Sequence, residues 1–182
     1  MMDAVFGGSR PGASALFRCL APALVAASLL AASGCRFFRL QLQHTHGSPK
    51  AVAEAVVNAF DRRDVAALEH LAVNELEFRR VVWPRQPAAR PERNVPWDYA
   101  WRDLAAKSRL QLRARVAEWQ PAAVTVVEVG FDGETTDYGT YRVMRKSRVT
   151  LRDKGGRLTT GHLFGSMIEQ RGHFKVFSYV AD

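Results

Sequence analysis

The side chains equipped for chemistry are few: the 182 residues include only two cysteines, Cys19 and Cys35, and five histidines. His44 and His46 lie two residues apart and have the right type to share a metal ion, or else belong to a polar tether. His162 alternates with Thr160 and Phe164, which places all three on one face of a strand and its imidazole near its charge transition at neutral pH. Arg142, Arg145, Lys146 and Arg148 form a basic run, either an anion site or the solvated stretch of an edge strand. No Gly-rich phosphate loop, HExxH, nucleophile elbow or paired-Cys motif occurs, which removes the commonest nucleotide, metal and hydrolase chemistries. No metal and no cofactor is implied.

Cys35 is set apart by what precedes it. Leu20 to Gly34 carries no charge, Arg10 and Arg18 come before it, and the small residues Ala32, Ser33 and Gly34 lead directly into Cys35. Cationic region, short apolar run and small-residue cleavage site, in that order, make a secretory signal. The apolar run falls short of the roughly 20 residues a membrane-spanning helix needs, and Pro22 interrupts it. Ala32-Ser33-Gly34-Cys35 resembles the lipobox of bacterial lipoproteins, departing from it at Ala32, where Leu is more usual. That resemblance implies cleavage between Gly34 and Cys35, lipid attachment at Cys35 and a membrane-anchored location in the cell envelope. Arg36, in place of Asp, implies the outer membrane facing the periplasm. Ordinary secretion and an uncleaved anchor are the alternatives.

Residues 1–34 are thus expected to be a signal peptide, 35–47 a lipidated tether, and 48–182 a single domain. With one thiol in the signal and the other acylated, the domain holds no disulfide. The formal charge is +8, of which residues 1–34 contribute Arg10, Arg18 and Asp3, so +7 stays with the remainder. The basic residues are scattered from Arg36 to Arg171 without a dense run, so they read as a solvated basic surface. Nucleic acid is not an expected partner of an exported protein.

Ser48-Pro49 is an N-cap followed by Pro at the first helical position, and Val52, Val56, Ala59 and Phe60 then share a helical face. Asp64 caps a second helix, and Asn74 with Glu77 forms a capping box for a third that runs to Pro84. Pro84, Pro87, Pro91 and Pro96 then exclude regular helix and central strand, leaving a long loop. The spacing of Trp97, Trp101, Leu104, Ala105, Leu112 and Val116 predicts one helix from Pro96 to Pro121, against a competing strand from Arg109. After Pro121 the period changes to two, with turns at residues 132–139, Asp153 to Gly156 and Arg171-Gly172, and with Gly161 and Gly165 as bends. Helices followed by a four-stranded antiparallel meander make an α+β domain.

That order, closing on Gly172-His-Phe-Lys-Val176, is similar to the cone fold shared by nuclear transport factor two, ketosteroid isomerase and scytalone dehydratase. The resemblance covers residues 48–182. It implies N-terminal helices packed into a curved four-stranded sheet, and a pocket in which Trp97, Trp101, Tyr141 and His162 are the candidate lining residues. By the same resemblance Asp98, Asp103 and His162 are candidates for a general base, His162 foremost but weakly, with Tyr99 or Tyr141 as hydroxyl donors. Asp98 and Asp103 flank the apolar stripe of their helix, so no Asp/His pair maps onto the family pattern, and no catalytic residue is assigned. The leading expectation is a non-enzymatic, lipid-anchored envelope protein binding a small apolar ligand or an envelope protein. An isomerase or dehydratase acting in the cone pocket is the alternative, as is a homodimeric scaffold.

Overall fold

The structure is a computed structural model that describes residues 41–120 and 123–180. The expected signal peptide and the expected cleavage junction at Gly34–Cys35 lie outside the described residues.

Each predicted helix start is made by the residue expected to make it. Ser48 Oγ accepts the Ala51 N–H at 3.1 Å, and helix α1 follows from Pro49–Asp61. Asp64 Oδ1 accepts the Ala67 N–H at 2.9 Å and begins α2, Val65–Leu71. Asn74 and Glu77 bond reciprocally, both at 2.9 Å, to open α3, Glu75–Glu77. That turn widens into a π-helical segment, Phe78–Val82, which ends where Pro84 has no N–H to continue the ladder. The proline stretch is less irregular than expected. It folds as single 3-10 turns, Trp83–Arg85, Pro87–Ala89 and Pro91–Arg93, with a proline in the first two positions of each, where its missing N–H costs nothing.

Helix α4, Trp97–Glu118, settles the helix-or-strand ambiguity. Its expected apolar stripe is only partly covered: Ala105 and Leu112 are buried, whereas Trp97, Trp101, Leu104 and Val116 stay half-buried. Beside the stripe Asp98 pairs with Arg102 at 3.1 Å, and further round the helix Asp103 pairs with Lys107 at 2.8 Å, each pair one helical turn apart.

The expected single meander is present as two antiparallel sheets. Strands β1 (Thr125–Phe131), β4 (Ser147–Arg152) and β5 (Leu158–Gly161) form one, in the order β1-β4-β5. Strands β2 (Thr135–Asp137), β3 (Arg142–Met144), β6 (Ser166–Gln170) and β7 (His173–Ser178) form the other, in the order β2-β3-β6-β7. Three chain segments run through both sheets and are broken at residues 132–134, 145–146 and 162–165. The breaks lie alongside one another, joined by Asp132 N–H to the Lys146 carbonyl at 3.0 Å and Ser147 N–H to the Gly165 carbonyl at 2.9 Å. Lys146 takes a left-handed φ of 51°, and the Ser147 hydroxyl donates to the Phe164 carbonyl, so regular pairing stops there. The last hairpin turns on Arg171 and Gly172, whose φ of 56° and 78° suit the two-residue turn that matches strand twist.

One core cluster joins α1 and α2 to both sheets through Val56, Phe60, Leu68, Val149, Phe164 and Tyr179. A second gathers Phe78, Val82, Tyr141, Val143 and Ile168. All five residues of β6 are buried, so this strand is covered on both faces. The cover on one side is part of the expected tether: Leu42 is buried and its N–H donates to Gln170 Oε1 at 2.9 Å, while His46 pairs with Phe174 through both backbone groups. The folded domain therefore begins no later than residue 41, not at 48. Local composition missed this because the partners of residues 41–47 lie far away along the chain.

Candidate functional site

Where α1 and α4 end over the β1-β4-β5 sheet, the last turn of each helix leaves an open hollow of about 400 Å³. Phe60 enters from α1, Arg115, Glu118 and Trp119 from the end of α4, and Leu151 and Thr159 from the sheet. Leu163 and His162 come from the break between β5 and β6. The wall is fixed by specific contacts. The Trp119 ring stacks on Phe60 with centroids 5.1 Å apart, and its Nε1–H donates to Asp61 Oδ1 at 2.9 Å. Arg63 reaches across to the Val116 and Trp119 carbonyls at 3.5 and 3.4 Å, satisfying orphan acceptors at the C-terminus of α4.

Arg115 is the unusual group in this wall. One of its terminal nitrogens donates to the His162 carbonyl, while Nε is buried with no hydrogen-bond partner among the described residues. Burial pushes the guanidinium pKa down, with Glu118 and Tyr179 acting in the opposite direction. Nearby, Arg157 is already paired with Asp153 at 3.3 Å.

His162 lines this hollow but is exposed. Its Nδ1 bonds the Ser147 carbonyl, which can only accept, so Nδ1 carries the proton. The expected shared face with Thr160 and Phe164 is lost, because the chain leaves the strand between Gly161 and Ser166: Thr160 is exposed and Phe164 fully buried.

The four residues expected to line one pocket are not brought together. Trp101 packs tilted against Phe78, with ring centres 5.3 Å apart, and lines a separate groove of about 260 Å³ with Leu104, Ser108 and Tyr179. Trp97 lies under the Arg79 guanidinium, 4.8 Å from its ring centre. Tyr141 is buried beneath Gln86: its hydroxyl donates to the Val82 carbonyl at 2.9 Å and accepts from Gln86 Nε2 at 2.8 Å. Burial raises its pKa far above the ordinary phenol value, and this committed hydroxyl cannot serve an oxyanion. Asp98 and Asp103 are held in the exposed pairs of α4, and Tyr99 is exposed.

The basic run from Arg142 is not on an edge, since β3 and β4 each pair on both sides. Arg142 bonds Glu169 at 2.8 Å and Arg148 bonds Asp132 at 3.0 Å. For Glu169, burial alone would raise the pKa, but the Gly172 N–H at 2.5 Å and Arg142 outweigh it and hold the carboxyl below its usual range. His44 meets His70 edge-on with ring centres 6.0 Å apart. Among the described residues no group of three or more His, Cys, Asp or Glu side chains is placed to hold a metal ion.

Sequence reasoning missed Arg115, although a signal existed: it sits three residues after Leu112 and seven after Ser108, on the apolar stripe itself. It also missed Lys175. In β7 Lys175 and its neighbour Val176 are both buried, Lys175 at 1% exposure and bonded to Glu77 at 2.9 Å.

No protein-family model matches the chain, and neither a curated protein nor a solved structure does. The residues alone carry the functional reading.

Proposed function

We propose that this is a lipid-anchored cell-envelope protein whose α+β domain binds a small, largely apolar molecule in the hollow between α1, α4 and the β1-β4-β5 sheet. The hollow carries the reading: at about 400 Å³ it has the size of a small-molecule site, with Phe60, Trp119, Val124, Leu151 and Leu163 as its apolar wall and charged and polar groups around them. The aligned breaks support treating the two sheets as halves of one bent meander around α1, as in the cone fold the sequence resembles. Binding is favoured over isomerase or dehydratase chemistry because Asp98 and Asp103 are engaged in ion pairs with Arg102 and Lys107 and do not line the hollow, whose carboxylates are Glu118, which acts on Arg115, and Asp153, which pairs with Arg157.

The anchor would be short. With Leu42 and His46 fixed to the domain, only residues 35–40 separate the lipid on Cys35 from the fold, a reach of about 20 Å at full extension. The +7 charge beyond residue 34 would then lie close to anionic head groups, if the outer-membrane location implied by Arg36 holds. Replacing Cys35 with Ala should move the protein from the membrane to the soluble fraction of fractionated cells. Unchanged membrane association would contradict the anchor.

A further inference from the structure

Resting on the small-molecule reading of this hollow, we infer that its ligand carries an acidic group and that Arg115 is the residue that pairs with it. Buried polar atoms in folded proteins have partners, so one without a partner calls for a physical explanation. Arg115 Nε is a buried donor with no partner among the described residues, and it belongs to a cation that burial has stripped of part of its hydration. One terminal nitrogen is taken by the His162 carbonyl, which pins the guanidinium against the break between β5 and β6. The edge formed by Nε and the other terminal nitrogen has the fork geometry that takes a carboxylate through two parallel hydrogen bonds.

The other charges in the hollow fit this assignment. Arg157 is already neutralised by Asp153 at 3.3 Å. Glu118 acts on Arg115 through space without forming an ion pair with it, and it lies three residues further along α4. His162 donates inward through Nδ1, so its Nε2 is left to the exposed side. Arg115 is therefore the cation of this hollow whose Nε has no hydrogen-bond partner among the described residues. Around it Phe60, Trp119, Leu151 and Leu163 offer apolar wall. An apolar chain or ring ending in a carboxylate matches both parts at once, and a neutral analogue matches only one.

The test uses the purified full chain and a fluorescent probe pair, dansylaminoundecanoic acid and its methyl ester, titrated at neutral pH. The acid should bind about tenfold tighter than the ester, as expected when a charged hydrogen bond is added in a partly dry site. Arg115→Met should bring the acid down to the affinity of the ester measured on the same variant. Arg115→Lys, which keeps the charge but loses the fork, should retain part of the preference. Equal binding of acid and ester by the unaltered protein would overturn the acid assignment and leave the apolar site standing. A preference that survives Arg115→Met would overturn the role of Arg115. Binding of neither probe would overturn the apolar site together with it. The acid-to-ester ratio of the unaltered protein decides the acid assignment even if both variants fold poorly.

Discussion

Replacing Lys175 with Met should remove about 3–5 kcal/mol of unfolding free energy, the usual cost of breaking a buried ion pair from one side. The ammonium and its partner are almost entirely out of water, with side chains 1% and 4% exposed. Lys175 Nζ donates at 3.0 and 2.9 Å to the two Glu77 oxygens and at 2.9 Å to the Gln43 carbonyl, so all three of its donors are used. Glu77 in turn accepts the Gln43 N–H at 2.6 Å and the Asn74 N–H at 2.9 Å. One contact thus ties β7, the end of α3 and the segment at residues 41–47 together. Methionine fills the space of the lysine stem but leaves the Glu77 carboxylate buried without its counter-charge. Restoring neutrality with Glu77→Gln in the same chain should recover part of the loss, because an amide oxygen still accepts from Asn74 or Gln43. Urea unfolding with an unchanged dependence on denaturant would measure both effects. A loss below about 1 kcal/mol for Lys175→Met would mean that the pair is hydrated and only of surface strength.

Phe60→Ala should cost about 3–5 kcal/mol as well, for a different reason. The ring is 1% exposed, ends the buried face of α1 and carries the Trp119 stack at 5.1 Å. Truncation removes apolar contact and leaves a void that the helix ends and the sheet cannot fully close. Because the same ring walls the hollow, the void opens into it, and Trp119 loses the partner that orients it. Phe60→Leu should cost clearly less, since most of the volume stays. Thermal or urea unfolding followed by tryptophan emission reads both stability and the changed surroundings of Trp119. A cost for Phe60→Ala below about 1 kcal/mol would place that ring against solvent instead of core.

What could be read from the sequence was the chemistry that closes within a few residues. Ser48, Asp64 and the Asn74–Glu77 box cap their helices through bonds spanning three residues, and the Arg171-Gly172 turn needs only its own backbone freedom. The stripe of α4 outweighed the local alternation around Leu110 and Leu112, and Leu110 ended 68% exposed on the far side of the helix. What stayed hidden depends on partners distant along the chain. Lys175 looks like an outward-facing strand residue until Glu77 is brought beside it. His162 looks like a central-strand residue until the Ser147 hydroxyl and the Gly165 carbonyl interrupt regular pairing next to it. Residues 41–47 look like spacer because their bonds go to Gln170 and Phe174. The candidate site moved for the same reason: aromatic residues marked it in sequence, but Trp97, Trp101 and Tyr141 found separate partners, while Phe60, Arg115 and Trp119 met at the helix ends.

The central claim, that an apolar ligand sits against Trp119, is tested most directly by following the indole N–H signals of Trp83, Trp97, Trp101 and Trp119 by nuclear magnetic resonance during titration with dodecanoate. Each signal can be assigned from a single Trp→Phe variant. The Trp119 signal should shift saturably, since its ring walls the hollow and its N–H is held by Asp61, while Trp101 in the separate groove stays in place. A Trp119 signal unmoved at saturating dodecanoate, or a shift confined to Trp101, would contradict the account.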